Sequence, residues 1–381
     1  LYDVLREEYP EKFIYMLDTP RITKDAGISL YEQRIRAMIH AYEEFSGKTF
    51  DEEVFREYIK GKNEEQQIAV RAGALNIGIL GARANKNIAE ILKTKGANVA
   101  FDLTCTGLGR KVIYEEQNLM AGYVGGLLGQ FPCMRMEQAS NRDELIRRYA
   151  DSVDGVIYHT VQFCDNYAYE YAWLKSWMKR PLLLLETDYT RQSYGQILTR
   201  IEAFLESLQP DVQRIQRQTK GENAMYVLGI DSGSTSTNAV IMDRDRKIKA
   251  FSVVRTGAKS GVSAQKALYE VLQRAGLTRE DISWIVSTGY GRVSIEFADE
   301  NVTEISCHGK GAHYFNPKIR TILDIGGQDS KAIHLNENGE VKDFVMNDKC
   351  AAGTGRFLEM IARTLEVSLD ELGAIALTST E

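Results

Sequence analysis

The chain has 381 residues, 44% of them apolar and 26% charged, with 31 glycines and 6 prolines, a composition that excludes collagenous and disordered classes and, at roughly 150 residues per domain, predicts two or three domains. The formal net charge of −6 argues against a nucleic-acid surface. No run of about 18 apolar residues is present to span a bilayer, so a cytoplasmic protein with no nucleic-acid and no membrane partner is expected. Residue 1 is Leu inside a helical pattern and no signal-peptide pattern is visible; the chain reads as a fragment cut at both ends.

In chain order, residues 1–75 read as helical. Ile35, Met38, Ile39, Tyr42 and Phe45 keep helical spacing, and residues 49–60 form a second amphipathic stretch. From residue 76 strands and helices alternate: strands over 76–80, 98–103, 153–159 and 182–186, helices over 85–95, 142–150, 167–178 and 195–208. Such alternation predicts a parallel sheet covered on both faces. Residues 209–224 are polar and poor in large apolar side chains and read as a linker. A second domain then opens with a strand over 226–231.

Three strings in the second domain carry chemistry. In the first, Leu228-Gly-Ile-Asp-Ser-Gly-Ser-Thr-Ser-Thr-Asn-Ala-Val-Ile-Met242, an apolar strand delivers Asp231 to a tight turn. Gly233 allows close backbone approach, and Ser234, Thr235 and Ser236 add amides and hydroxyls, an anion nest for a polyphosphate whose Mg²⁺ the acid would hold through water. No Walker glycine-lysine-serine run is present. The plain alternative is a glycine-serine hairpin without a ligand. In the second string, Thr321-Ile-Leu-Asp-Ile-Gly-Gly-Gln-Asp-Ser-Lys331, Asp324 again ends a strand and Gly326 and Gly327 follow. Two acid-glycine turns at strand ends form the two sides of a phosphate clamp, and the pair resembles the superfamily of actin, hexokinase and heat-shock ATPases. In the third, Cys350 precedes a glycine turn and a helix with Phe357, Ile361 and Leu365 on one face. A helix N-terminus lowers a thiol's pKa and favours anionic groups; a buried small cysteine is the ordinary alternative.

The five cysteines, Cys105, Cys133, Cys164, Cys307 and Cys350, are odd in number and none pair at C-x-x-C spacing, so neither a disulfide framework nor a local zinc or ferredoxin loop is expected.

Residues 226–381 resemble the ATP-dependent activators of 2-hydroxyacyl-CoA dehydratases, kin of the ATPase subunits of benzoyl-CoA reductase. The resemblance lies in Gly229-Ile-Asp-Ser-Gly-Ser-Thr235, Ser287-Thr-Gly-Tyr-Gly-Arg292, Glu304-Ile-Ser-Cys-His308, Asp324-Ile-Gly-Gly-Gln-Asp329 and Asn347-Asp-Lys-Cys-Ala-Ala-Gly-Thr-Gly-Arg-Phe357. It implies a homodimer holding one [4Fe–4S] cluster between subunits, with Cys350 matching the first of two cysteine ligands from each; the chain ends at Glu381 before the second. Residues 1–208 resemble the C-terminal part of the dehydratase component that such activators serve. That resemblance rests on Asp154-Gly-Val-Ile-Tyr-His-Thr-Val-Gln-Phe-Cys-Asp165, the segment 181–189 and Thr199-Arg-Ile-Glu-Ala-Phe-Leu-Glu206, and it implies that Cys164 ligates a cluster. Cys105 and Cys133 are weaker candidates for the same surroundings. Cys307 reads as a packing or turn residue, His159 as a core histidine, His308 as a site residue or just as easily a core histidine, and Asn85 as the cap of an ordinary turn. Glu186 and Asp188 are acid/base candidates by position alone.

The expected fold class is α/β: an N-terminal doubly wound parallel-sheet domain and an incomplete C-terminal actin/hexokinase-like ATPase domain. The expected function is an ATP-hydrolysing iron–sulfur activase, in which hydrolysis drives one-electron transfer from a [4Fe–4S] cluster to the dehydratase-like part in anaerobic acyl-CoA chemistry. Asp231 and Asp324 would hold Mg²⁺ water and Gln328 would orient the attacking water. The partners would be an acyl-CoA substrate or a dehydratase. A small-molecule kinase of the same superfamily and a non-catalytic docking unit for a separate dehydratase stay open as alternatives.

Overall fold

A computed structural model of the chain describes residues 2–64, 70–83, 86–105, 118–129, 133, 136, 142–162, 164–188, 194–209, 226–347 and 352–378. The chain divides into two compact units, residues 1–197 and 198–381. The segment expected to be a linker lies, from residue 210 to its end, outside the described residues, as do Asn85 and Cys350.

The first unit opens with α1 (Tyr2–Glu8), α2 (Asp25–Ser46) and α3 (Glu52–Glu64). The helical reading of its start is interrupted, because residues 9–24 form no helix. Gly47 ends α2 in the left-handed conformation, with φ 68°, as a glycine past a helix end commonly does. The doubly wound core is β1 (Asn76–Gly81), β2 (Asn98–Thr104), β3 (Gly155–Val161) and β4 (Leu182–Thr187), all parallel in the order β2-β1-β3-β4. Every residue of β1 is buried, as expected of a parallel strand covered on both faces. The covering helices include α4 (Lys86–Thr94), α6 (Arg142–Ala150) and α7 (Asp165–Trp177). One helix of the first unit escaped the sequence reading, α5 (Leu119–Leu128). Its Gly122, Gly125 and Gly126 each cost about 1 kcal/mol of helix propensity. Packing compensates: Met120, Val124 and Leu128 form one cluster with Tyr31 and Ile35 of α2, and the Asn118 side chain caps the Ala121 N–H.

Helix α8 (Tyr194–Leu208) contributes its residues from Leu198 onward to the second unit. There β5 (Tyr226–Ser232), β6 (Ser236–Asp243) and β7 (Ile248–Arg255) form an antiparallel meander. Helix α9 (Ser260–Ala275) crosses over to β8 (Ile282–Thr288), which runs parallel to β5, and β9 (Glu300–Asn301) completes the order β7-β6-β5-β8-β9. Ala264, Ala267 and Val271 let α9 lie close on this sheet. Helix α10 (Glu304–Phe315) precedes an antiparallel sheet of β10 (Thr321–Ile325), β11 (Ser330–Leu335) and β12 (Val341–Asn347); α11 (Gly355–Thr364) and α12 (Leu369–Ala376) follow. The fold class is the expected α/β one: a doubly wound parallel sheet in the first unit, and in the second a mixed five-stranded sheet and a three-stranded antiparallel sheet with their helices. Among the described residues no helix is long and apolar enough to cross a membrane.

Candidate functional site

Two tight turns of the second unit face each other. On one side β5 carries Asp231 opposite Asn238 of β6. The chain reverses through Gly233, whose N–H donates to the Ser236 carbonyl at 3.0 Å, and Ser234 and Thr235 form the exposed tip. Ser236 already belongs to β6. On the other side β10 carries Asp324 opposite Lys331 of β11. The Gly326 N–H closes this turn on the Asp329 carbonyl at 2.8 Å, and Gln328 is exposed at its tip. A side chain on Gly327 would overlap the Thr235 hydroxyl and stand 3.3 Å from the Ser234 Oγ. The two glycine turns are therefore in contact range. Among the described residues the backbone N–H groups of Ser234, Thr235, Gly327 and Gln328 have no hydrogen-bond partner, the arrangement of an anion nest.

Behind the turns two cationic side chains meet Asp324, and their charge reaches Asp231. His308 Nδ1 lies 2.9 Å from Asp324 Oδ2. Lys331 Nζ lies 3.4 Å from that same oxygen and 2.9 Å from Asp329 Oδ2. The His308 hydrogen bond, aided by Lys331 and opposed by burial, holds the Asp324 carboxyl below its ordinary range, and the same bond raises the His308 pKa. Burial pushes Asp231 up, against the charges of His308 and Lys331 and the amide of Asn238. Burial works to lower the Lys331 pKa and is outweighed by Asp329, Glu304 and Asp324, so the ammonium stays charged.

The surrounding backbone is fixed by buried polar contacts. Gly289, after β8, adopts φ 85°, and a side chain there would overlap Asp231 Oδ1. Arg292 is 3% exposed. It donates to the Gly289 carbonyl at 3.0 Å and pairs with Glu202 and, at 3.4 Å, with Glu304. Thr303 caps α10 and itself donates to Glu206 at 2.6 Å. Burial pushes the neighbouring Cys307 thiol up to about 11, which keeps it neutral and suits packing. Helix α11 is stitched to the second turn: Gly355 N–H donates to the Gly326 carbonyl and Arg356 N–H to the Gly327 carbonyl, both at 3.0 Å. Two of its first amides are thus already engaged.

The first unit brings its cysteines together only in part. Cys164, half-buried at the start of α7, makes no side-chain cap and packs against the apolar core. Cys105 follows β2, with Sγ 2.9 Å from the Tyr167 hydroxyl, which also reaches Cys133 Sγ at 3.8 Å. The Cys105 thiol is pushed far up by its neighbour Cys133 and by burial. His159 is a core histidine: buried, its pKa lowered by burial, with Nε2 2.8 Å from the Thr187 hydroxyl. Glu186 and Asp188 are exposed. Sequence reasoning missed a buried pair, Arg142 and Glu170, each 2% exposed and bonded at 2.5 and 2.7 Å, with Tyr158 donating to the same carboxylate. Nothing in the aromatic-rich α7 sequence marks Glu170 as buried.

The hard oxygens of Asp231 and Asp324 suit Mg²⁺, which commonly takes one or two carboxylates beside waters and phosphates. A thiolate-bound cluster is different: among the described residues no three His, Cys, Asp or Glu side chains gather as a metal group.

Residues 1–76 and 70–208 match the model of the 2-hydroxyglutaryl-CoA dehydratase D-component family, and residues 228–381 match that of the BadF/BadG/BcrA/BcrD ATPase family. The activator of lactoyl-CoA dehydratase from Anaerotignum propionicum is 52% identical over 157 residues, 41% of this chain and 60% of the relative. The (R)-2-hydroxyglutaryl-CoA dehydratase activating ATPase from Acidaminococcus fermentans is 45% identical over 159 residues, 42% of this chain and 60% of that protein. The solved activator of the 2-hydroxyisocaproyl-CoA dehydratase from Clostridium difficile, with bound ADPNP, is 43% identical over 41% of this chain and 58% of its own, with a TM-score of 0.39. The chain thus spans about 60% of the length of these curated relatives. Over its first 208 residues the chain belongs to the 2-hydroxyglutaryl-CoA dehydratase D-component family, and it carries a BadF/BadG/BcrA/BcrD ATPase domain from residue 228 onward.

Proposed function

We propose that the chain is an ATP-hydrolysing activator fused to a dehydratase-like unit, with a D-component domain over 1–208, a linker over 209–224 and an ATPase domain over 225–381. The observation that carries this reading is the meeting of Gly327 with Ser234 and Thr235. It supports a clamp in which the N–H groups of two turns, without partners among the described residues, adjoin one another with Asp231 and Asp324 behind them. A polyphosphate would lie on the amides of the turns formed by Gly233, Ser234, Thr235, Ser236, Gly326 and Gly327. Asp231 and Asp324 would hold the waters of the nucleotide's Mg²⁺, and Gln328, exposed beside them, would orient the attacking water. Mg²⁺, when bound, supplies charge neutralisation for the transferring phosphoryl group.

The finer reading adds a [4Fe–4S] cluster as a one-electron donor, an acyl-CoA substrate or dehydratase partner, and a homodimer formed through the ATPase domain. It is supported by the family membership, by the place of Cys350 beside a helix start in the sequence, and by Cys164 following β3 at the carboxyl end of the parallel sheet, where ligands bind in such folds. The described cysteines alone do not form a cluster site, so the electron path is left to the resemblance.

The test is phosphate release by the full-length protein with Mg²⁺ and ATP. Asp231→Ala and Asp324→Ala should each lower turnover by about a hundredfold, the scale on which transition-state charge stabilisation acts. Near-wild-type turnover in both variants, or no Mg²⁺-dependent hydrolysis by the wild type, would overturn the reading.

A further inference from the structure

We propose that His308 is a positioning residue for the nucleotide-bound metal: its Nδ1–H holds one oxygen of Asp324 and leaves the other to take a metal-bound water. This rests on the reading of the two turns as a MgATP clamp. The geometry sets His308 apart from Lys331. Both cations meet Asp324 at Oδ2, and among the described residues Oδ1 takes no partner. Lys331, however, is divided. Its shorter contact, 2.9 Å, goes to Asp329, and its distance to Asp324 is 3.4 Å. The 2.9 Å bond from His308 is the one that fixes the carboxylate's rotation.

The imidazole is itself held in place. His308 stands one turn into α10, whose start is tied down by Thr303 on Glu206 and by Glu304 on the buried Arg292. A loosely held histidine would fix nothing; this one is carried by a helix whose first turn is anchored at two points. The contact runs through Nδ1 and not Nε2, which gives a discriminating substitution. An asparagine amide nitrogen falls close to the Nδ1 position, whereas a glutamine amide reaches toward Nε2.

The experiment uses the full-length chain as wild type, H308N, H308Q and H308A. It measures the Mg²⁺ concentration that half-saturates ATP hydrolysis, the affinity for ADP without Mg²⁺, and thermal unfolding. Losing a charge-assisted bond that orients a ligand oxygen should raise the Mg²⁺ half-saturation about tenfold in H308A and H308Q, with H308N within about threefold of wild type. Affinity for ADP without Mg²⁺ should shift alike in all three variants, which remove the same imidazole charge, within about twofold of one another. In the nucleotide-free wild type, imidazole ¹⁵N NMR should show a slowly exchanging Nδ1 proton that disappears in Asp324→Ala. An unchanged Mg²⁺ dependence in H308A, or H308N as impaired as H308A at wild-type unfolding temperature, would overturn the proposal. Should the variants fail to fold, absence of the Nδ1 proton in the wild type would overturn it equally. A wild type with the Nδ1 proton but no Mg²⁺-dependent hydrolysis would instead sink the clamp.

Discussion

Gly289→Ala and Gly327→Ala look alike in sequence and should behave in opposite ways. Gly289 sits at φ 85°, where an added Cβ would overlap Asp231 Oδ1 and come within 2.7 Å of the Ser232 carbonyl oxygen. The left-handed backbone costs an alanine about 1–2 kcal/mol. The clash with a main-chain carbonyl adds about 1–2 kcal/mol more, because backbone must move. The sum is about 2–4 kcal/mol, which for a domain of this size lowers the unfolding temperature by roughly 5–15 °C. Gly327 has no positive φ. Its obstacle is the Thr235 hydroxyl, the end of an exposed side chain that can turn away. Gly327→Ala should therefore unfold within about 1 kcal/mol of wild type yet lose about tenfold or more in ATP hydrolysis, since it narrows the gap between the turns. Calorimetry and phosphate release on the full-length protein separate the two effects. An unfolding transition unmoved by Gly289→Ala, or one moved as far by Gly327→Ala, would refute the reasoning.

The His308–Asp324 bond predicts a pH window for the C-terminal domain. The depressed Asp324 pKa contributes stability above the ordinary Asp value that is lost as pH falls through its folded value; the raised His308 pKa contributes stability below the ordinary His value that is lost as pH rises through its folded value. Unfolding temperature against pH should show both limbs in the wild type and a weakened alkaline limb in H308A; identical profiles would contradict it. Glu170→Ala should destabilise the first unit by about 3–5 kcal/mol in denaturant unfolding, because it leaves the Arg142 guanidinium buried without its carboxylate; Tyr158→Phe should cost less, about 1.5–3 kcal/mol. Cys164→Ser in protein purified without oxygen should lower iron per chain while ATP hydrolysis persists; unchanged iron after allowance for a centre at Cys350 would remove Cys164 from the cluster reading.

The strand-ending acids and the glycines after them were legible because a turn at a strand end is a local feature: Asp231 with Gly233, and Asp324 with Gly326 and Gly327, are each set by a few neighbouring residues. His308 and Lys331 were not read as partners of those acids, although both stand inside the recognised strings. The contact between His308 and Asp324 is made by the packing of α10 against the sheet of β10, β11 and β12, chiefly on β11 and β12, and nothing in the spacing of the two residues announces it. Lys331 pairs with Asp324 through antiparallel register, which depends on the length of the intervening turn. Helix α5 escaped for the converse reason. Three glycines argue against a helix locally, and only packing against α2 and α3 makes one favourable. Arg142 and Glu170 show the same limit: charged residues on exposed-looking helices become a buried pair only once two helices meet over β3.

The charges of the site argue for a divalent cation independently of any resemblance. Asp231, Asp324 and Asp329 bring three carboxylates, and His308 and Lys331 at most two positive charges. The excess is negative, in a place proposed to receive a polyphosphate that is itself strongly anionic. The amides of Ser234, Thr235, Gly327 and Gln328, without partners among the described residues, supply only partial charges. They are sufficient to shape a phosphate site and insufficient to overcome repulsion from the acids behind it. A metal ion between the acids and the phosphates reverses the sign of that interaction. ATP should therefore bind the full-length protein at least about tenfold more weakly after chelation than with Mg²⁺ present. Asp324→Asn should behave differently: by removing one repelling charge it should improve binding of metal-free ATP while weakening that of MgATP. Calorimetric titration under the four conditions reads both signs. A variant that weakens metal-free and metal-bound ATP equally would show that Asp324 acts on the fold of the turn, and the electrostatic argument would fail.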